Sequence, residues 1–180
     1  MNSIFNFFQN LCCCFRKKDY PNAVTLDKIN MNCMEGGCDI KWDDTIEFTF
    51  PITGGRVIKC YDADTITIAS KLPYDSSPMY RLSVRLNGID TPEIKGKGVS
   101  EEEKEAAKEA RDFVSKLVFN KFVRLENIQS EKYGRILSDV YVGDIHLNEL
   151  LLKERYAVKY DGGTKIKPTS WKKYRLTGEL

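Results

Sequence analysis

Alternating apolar and polar positions predict five short strands in the chain after residue 54. These runs are rich in β-branched residues and cover 56–60, 65–71, 79–89, 122–128 and 136–142. Between the third and fourth runs, residues 100–119 predict a helix, because Ser100 and Glu103 can form a capping box ahead of apolar residues at helical spacing. A second short helix is expected at 147–155, where leucines recur on one side.

The order strand, strand, strand, helix, strand, strand, helix is that of the five-stranded OB-fold barrel. We therefore expect an α+β, mainly β domain over residues 55–180, with a closed five-stranded barrel and about three helices. This fold binds nucleic acids or sugars in many proteins, but a fold alone does not establish a function.

Residues 21–54 are poorly patterned and contain Asn30, Asn32, Gly36 and Gly37. Their one strand-like run is 45–52, which ends at the break Thr53-Gly54-Gly55. We interpret this stretch as a linker or an accessory strand.

The first twenty residues combine an apolar start with three consecutive cysteines, Cys12, Cys13 and Cys14, followed by Arg16-Lys17-Lys18. A signal peptide has the opposite order, with basic residues ahead of the apolar stretch. The pattern is typical of a lipid anchor, in which acyl chains on the cysteines insert and the basic residues meet anionic headgroups. The alternative is an N-terminal tail with no role in the fold. We expect an intracellular protein that associates with a membrane surface through this segment, in preference to a secreted one.

Overall composition excludes several classes of protein. No apolar run approaches the roughly 20 residues that a membrane-spanning helix requires. Cys33 and Cys38 have no second pair and no nearby histidine, so a zinc site lacks ligands, and reduced thiols are expected.

The net charge is only +2, but the stretch after residue 152 contains eight Lys or Arg residues and only three acids. That basic stretch is either a phosphate-binding surface or an ordinary solvated face.

Carboxylates are concentrated where predicted strands begin or end. Asp64 precedes the second strand, Asp90 lies where the third breaks at Thr91-Pro92, and Glu93 follows. If they converge, Asp64, Asp90 and the Thr91 carbonyl offer hard oxygen ligands suited to calcium or magnesium. Softer metals are disfavoured, because no cysteine or histidine accompanies them.

Two arginines complete a candidate reaction centre. Arg85 and Arg135 could each hold two oxygens of a phosphate with a guanidinium fork. A metal and two arginines would stabilise the charge that builds when water attacks a phosphodiester, and Glu93 is the natural general base. The same residues also fit turn caps, ion pairs and a non-catalytic binding module. The single histidine, His146, is interpreted as structural.

Three motifs in order, Asp62-Ala-Asp64-Thr65, Arg85 to Glu93 and Lys132-Tyr-Gly-Arg135, resemble the staphylococcal (thermonuclease-type) nuclease family. The resemblance runs from about Val57 to Tyr160. It implies the barrel described above and a calcium-dependent endonuclease, with one Ca²⁺, that hydrolyses DNA and RNA to 3′-phosphate products. The implied partners are DNA and RNA, single-stranded in preference, and the implied state is a monomer.

Carried over by position, Asp64, Asp90 and Thr91 resemble the metal-binding residues of the family. Arg85, Glu93 and Arg135 resemble its catalytic residues. Substrate contacts are expected at Lys132, Tyr133 and Tyr160.

One departure is Ala63, where the family usually has glycine, and a turn that required positive φ would be strained by it. The competing hypothesis is a protein that keeps the barrel and binds nucleic acid, or serves as a scaffold, without cleaving. The complete set of acids and arginines favours the nuclease.

Overall fold

The computed structural model describes residues 40–131 and 133–180. The chain divides into two units, Met1–Ile46 and Glu47–Leu180. In the first unit, the described residues form a short 3₁₀-helix at Trp42–Asp44. The predicted anchor and its cysteines lie outside the described residues. In the described part of the chain, no helix has the length and apolar character needed to cross a membrane.

Five strands of the second unit form the barrel: β1 (Gly54–Cys60), β2 (Thr65–Ser70), β3 (Tyr80–Leu86), β5 (Phe122–Ser130) and β6 (Ile136–Val142). β1 pairs antiparallel with β2 and with β5, and the pairs β2–β3 and β5–β6 are also antiparallel. A parallel pairing between β3 and β6 closes the barrel. The predicted five-stranded α+β fold is therefore confirmed.

Three short strands complete the described sheets: β4 (Ile89–Asp90), β7 (Ile145–His146) and β8 (Val158–Lys159). The run predicted at 79–89 is divided because Asn87-Gly88 turns the chain, with Gly88 at φ 74°. β4 then leaves the barrel and pairs antiparallel with β8. This pairing fixes Asp90 at the edge of the barrel.

The barrel interior is filled by inward-facing β-branched side chains. Val57, Ile66, Val84, Val123 and Val140 are completely buried. Each contributes roughly 1.5–3 kcal/mol relative to an exposed side chain. This alternation is the physical basis of the strand predictions.

The described residues form three α-helices: α1 (Glu101–Val118), α2 (Leu147–Lys153) and α3 (Trp171–Thr177). α1 and α2 pack on the barrel, and α3 packs on α1 through Trp171 and Ala106. Ser100 caps α1 by accepting a hydrogen bond from the backbone of Glu103 at 3.1 Å. The predicted capping box is only half formed, because the Glu103 carboxylate turns away to accept the N–H of Glu93 at 3.2 Å. α2 ends two residues earlier than predicted, just before the left-handed Arg155 at φ 58°.

Two local predictions were wrong or did not apply. Residues 45–52 form no strand and pair with neither described sheet; Ile46 and Phe48 are exposed, and only Ile52 is buried. Ala63 does not occur among the described residues with positive φ. The turn therefore accepts alanine, whose methyl group is buried.

Candidate active site

Three chain segments bring the candidate carboxylates together. Asp64 immediately precedes β2, Asp90 ends β4, and Thr91 and Glu93 follow it. Asp64, Asp90 and Thr91 are buried, and Glu93 is partly exposed. A buried ionised carboxylate is costly unless a positive charge lies near it. The neighbouring cations therefore determine which charges of this site are already compensated.

Arg85 spans the two aspartates. Its Nη1 lies 3.0 Å from Oδ2 of Asp64, and its Nη2 lies 3.2 Å from Oδ1 of Asp90. The register explains this position, because Arg85 stands directly opposite Thr65 in the β2–β3 pair, next to Asp64. The Arg85 side chain is only 13% exposed.

The electrostatics reflect a crowded acidic centre. Burial raises the pKa of Asp64, against the opposing effects of Arg85 and of the 2.8 Å hydrogen bond from the Thr65 hydroxyl. Burial, followed by the negative charges of Asp64 and Glu93, raises the pKa of Asp62 to about 6. Asp62 was not predicted as a site residue, although it belongs to the first motif.

Lys165 is a second cation in the centre. Its Nζ lies 2.8 Å from Oδ1 of Asp90 and 2.8 Å from Oε1 of Glu93. Burial lowers the pKa of this ammonium, but the hydrogen bonds to Asp90 and Glu93 outweigh burial, and the pKa is raised. Lys165 is therefore held as a cation between the two acids.

Arg135 lies beside the centre but is held by a different acid. Its Nε and Nη2 bind the two oxygens of Glu131 at 2.6 and 2.7 Å. The hydrogen bond to Glu131 is the main cause of the raised pKa of Arg135, and the charge of Asp64 contributes to it. Arg135 is thus close enough to Asp64 for their charges to interact. A phosphate that binds the Arg135 guanidinium would have to compete with Glu131.

The predicted substrate-binding tyrosines occupy different surroundings. Tyr133 is exposed, and the Arg135 guanidinium lies 6.0 Å from the centre of its ring. The Tyr160 hydroxyl donates to the carbonyl of Gly163 at 3.3 Å, and its backbone N–H binds Gly88. Tyr160 also lines an open surface pocket with Lys159. Lys132 lies outside the described residues.

The oxygen atoms of the acidic centre are potential ligands of a divalent metal ion. Among residues 40–131 and 133–180, no three Asp, Glu, Cys or His side chains already form a cluster that could hold an ion. However, Oδ2 of Asp90 is buried and has no hydrogen-bond partner, which is costly unless a ligand binds it. The available donors are hard oxygens, as calcium and magnesium require. Asp64 and Asp90 therefore fit such an ion, and they remain its predicted ligands together with the Thr91 carbonyl.

Sequence reasoning missed two residues that organise this centre. Lys165 is 72 residues beyond Glu93, and no local pattern links them. Glu103 was interpreted as half of a capping box, yet its carboxylate fixes the Glu93 backbone and binds Lys167 at 2.8 Å. Glu131 directly precedes the Lys132-Tyr-Gly-Arg135 motif, and its four-residue separation from Arg135 was the available signal for their pairing.

Comparison with known proteins supports a nuclease relationship. Residues 83–176 match the model of the family described as staphylococcal nuclease homologue. A thermonuclease of Staphylococcus hyicus is 35% identical over 104 residues, which is 57% of this chain and 56% of the relative. An uncharacterized endonuclease of Escherichia coli is 32% identical over 108 residues, or 59% of this chain and 61% of the relative.

A probable endonuclease of Phaeosphaeria nodorum is 32% identical over 121 residues, covering 63% of this chain and 40% of the relative. The chain thus spans about half the length of the curated relatives it matches. The family match covers β3 through α3, including Arg85, Asp90, Glu93, Arg135 and Lys165. The chain therefore belongs to the staphylococcal nuclease homologue family.

Proposed function

We propose that this chain is a calcium-dependent endonuclease that hydrolyses DNA and RNA to products with 3′-phosphates. The observation that carries the proposal is that Arg85 binds both Asp64 and Asp90, and that Lys165 joins Asp90 to Glu93. Family membership supports the same reaction class. Single-stranded substrates are preferred in this proposal, and the active form is a monomer.

The chain's own residues account for most of the mechanism. Glu93, partly exposed, accepts a proton from water as the water oxygen bonds to phosphorus. The bond from phosphorus to the 5′-oxygen breaks, and that oxygen takes a proton from solvent water and leaves as a 5′-hydroxyl, so the phosphate stays on the 3′ side. A bound calcium ion supplies Lewis-acid stabilisation of the phosphate charge.

Arg85 and Arg135 bind the equatorial phosphate oxygens, where negative charge increases in the transition state. Arg85 is already oriented by Asp64 and Asp90 and loses little freedom on binding. Arg135 exchanges one or both of its bonds to Glu131 for the phosphate. In the proposed reaction, the guanidinium groups of both arginines therefore stabilise the negative charge of the phosphate.

The direct test is degradation of denatured DNA and of RNA with calcium or with a chelator in excess. The proposal expects cleavage with calcium, loss of cleavage with the chelator, and 3′-phosphate ends identified by end-labelling. Cleavage that is indifferent to the chelator would contradict the metal requirement.

A non-catalytic binding module is the second candidate, and one observation favours it. Glu93 is occupied by Lys165, which would block a general base if the contact persisted. In that case the protein would bind DNA or RNA and leave it intact under every metal condition.

We also propose an intracellular, membrane-associated location through acylation of Cys12, Cys13 and Cys14. The apolar and basic flanks of the cysteines support this proposal. The test compares membrane partitioning of the natural chain with a variant carrying serine at all three positions. Equal partitioning would contradict the anchor.

A further inference from the structure

The outer surface of the barrel carries an ordered row of arginine and aromatic side chains. Val57, Val123 and Val140 face inward and are completely buried. Because side chains alternate along a strand, Arg56, Phe122 and Arg124 face outward, and all three are exposed. This outer face is distinct from the packed interior.

Strand register places these residues side by side. Ala69 of β2 stands between Arg81 of β3 and Arg56 of β1, and Arg56 stands opposite Phe122 of β5. Two residues further along β5, Arg124 stands opposite Tyr141 of β6. We call Arg81, Arg56, Phe122, Arg124 and Tyr141 the outer stripe.

Two arginines of the outer stripe keep their positive charge uncompensated. In the described part of the chain, neither Arg56 nor Arg81 has a carboxylate within 4.0 Å, and the Arg56 guanidinium donates to the Asn120 carbonyl at 2.7 Å. Arg124 pairs with Glu126, and its guanidinium lies 4.3 Å from the centre of the Tyr141 ring. The outer stripe therefore has a net positive charge.

Phe122 offers an exposed aromatic surface beside these charges. Phe122 is 57% exposed, although phenylalanine is a residue that folding normally buries. A side chain at position 54 would approach the Phe122 ring to 3.1 Å, so Gly54 leaves space beside the ring. Tyr141 is stiffened by stacking on His146, whose ring centre is 4.5 Å away and whose Nδ1 lies 3.5 Å from Glu149.

The outer stripe is also continuous with the candidate active site. Arg81 and Arg85 lie on the same face of β3, and four residues separate them by roughly 13 Å at about 3.3 Å per residue. The pair between them, Thr67 and Ser83, is uncharged. A chain of phosphates can thus pass from Arg85 to Arg81 without meeting a carboxylate on β2 or β3.

We propose that the outer stripe binds single-stranded nucleic acid and guides it to the catalytic centre, an inference that extends the proposed nuclease function. Arg56 and Arg81 bind phosphates, and bases stack on Phe122 and on the Arg124–Tyr141 pair. A single strand can follow the curved barrel, whereas duplex DNA is stiff over about 150 base pairs.

The test measures fluorescence anisotropy of a labelled oligothymidylate of about 15 nucleotides, near the upper site size of an OB fold. It uses the full chain with Glu93→Gln and a chelator, so that no cleavage occurs. The test variant adds Arg56→Ser and Arg81→Ser, and the control adds Lys108→Ser and Lys116→Ser on exposed positions of α1. Both variants lose two positive charges, which separates local contacts from overall charge.

We expect the Arg56/Arg81 variant to bind at least tenfold more weakly than the control. Its slope of log affinity against log salt should be smaller by about 1.4, since each phosphate contact on a single strand contributes about 0.7. Phe122→Ala should weaken binding about tenfold with the salt slope unchanged, and Phe122→Trp should restore it. Equal affinities of the arginine and lysine variants would overturn the proposal.

Two further measurements separate this inference from the proposed function and from a membrane role. With calcium and Glu93 restored, the Arg56/Arg81 variant should cleave a dinucleotide normally and show a raised KM on long single strands. If the natural chain cuts nothing but its oligonucleotide affinity depends on the outer stripe, the proposed function fails and this inference stands. If the same variant loses binding only to phosphatidylserine vesicles, the surface is a membrane contact and the inference is wrong.

Discussion

The Nζ atom of Lys165 lies 2.8 Å from Oδ1 of Asp90, the aspartate at the centre of the candidate metal site. The same atom lies 2.8 Å from Oε1 of Glu93. One ammonium therefore neutralises an expected metal ligand and the expected general base together. A divalent ion that binds Asp90 must displace or repel this ammonium.

Replacing Lys165 with methionine should strengthen calcium binding by about tenfold or more. The physical reason is that a like charge near the ion, worth about 1–4 kcal/mol at 4 Å depending on the effective dielectric constant, is removed. Isothermal titration calorimetry on the chelator-stripped protein measures the change. Lys172→Met, at an exposed position of α3, is the control and should leave the affinity unchanged. Unaltered or weaker binding in the Lys165 variant would show that the ammonium does not compete with the ion.

Replacing Glu93 with glutamine should lower kcat by about 10²–10⁴-fold if the carboxylate is the general base. The amide keeps the shape of the side chain but cannot accept the proton. Calcium affinity and thermal unfolding temperature should change little, because Glu93 is partly exposed and is not among the proposed ligands. A variant that turns over at the natural rate would refute the assignment of Glu93.

Replacing Arg85 with methionine should destabilise the metal-free protein by about 3–5 kcal/mol, because Asp64 and Asp90 would remain buried without their shared partner. Urea unfolding in a chelator measures this loss. Arg81→Met on the same strand is the matched control and should stay within about 0.5 kcal/mol of the natural chain, since Arg81 is exposed. Similar losses in both variants would indicate that Arg85 has no special structural role.

Replacing Ala63 with glycine, the residue usual in the family, should lower the free energy of unfolding by about 1–2 kcal/mol. Two effects add: a buried methyl group is lost, and the unfolded chain gains conformational freedom. Thermal and urea unfolding measure the difference. A more stable glycine variant would mean that the turn is strained by alanine after all.

Local sequence patterns were sufficient for the barrel and for the acids of the centre. Val57, Ile66, Val84 and Val123 alternate with polar neighbours, and this period directly specifies which face is buried. The turn at Asn87-Gly88 was not predicted, although Asn-Gly is a typical turn dipeptide, whereas the pairing of β4 depends on the distant partner β8. Strand pairing between segments about 70 residues apart leaves no periodic signal in the chain.

Side-chain partners were harder to predict than side-chain positions. Arg85 was expected to flank a phosphate, and the structure adds that it binds Asp64 and Asp90. Arg135 was expected to do the same but is held by Glu131. Lys165 looked like one of many basic residues in the C-terminal stretch, and only the folded arrangement distinguishes it from its neighbours.

The pairing of β4 with β8 has a consequence for how the protein is made. Asp90 is fixed opposite Val158, and the N–H of Tyr160 binds the carbonyl of Gly88. A ribosome adding about 5–20 residues per second needs roughly 4–15 s to pass from Asp90 to Lys165. Until then the acidic centre lacks the backbone pairing that fixes Asp90, so under the proposed function the growing chain should not cut the messenger RNA from which it is being translated.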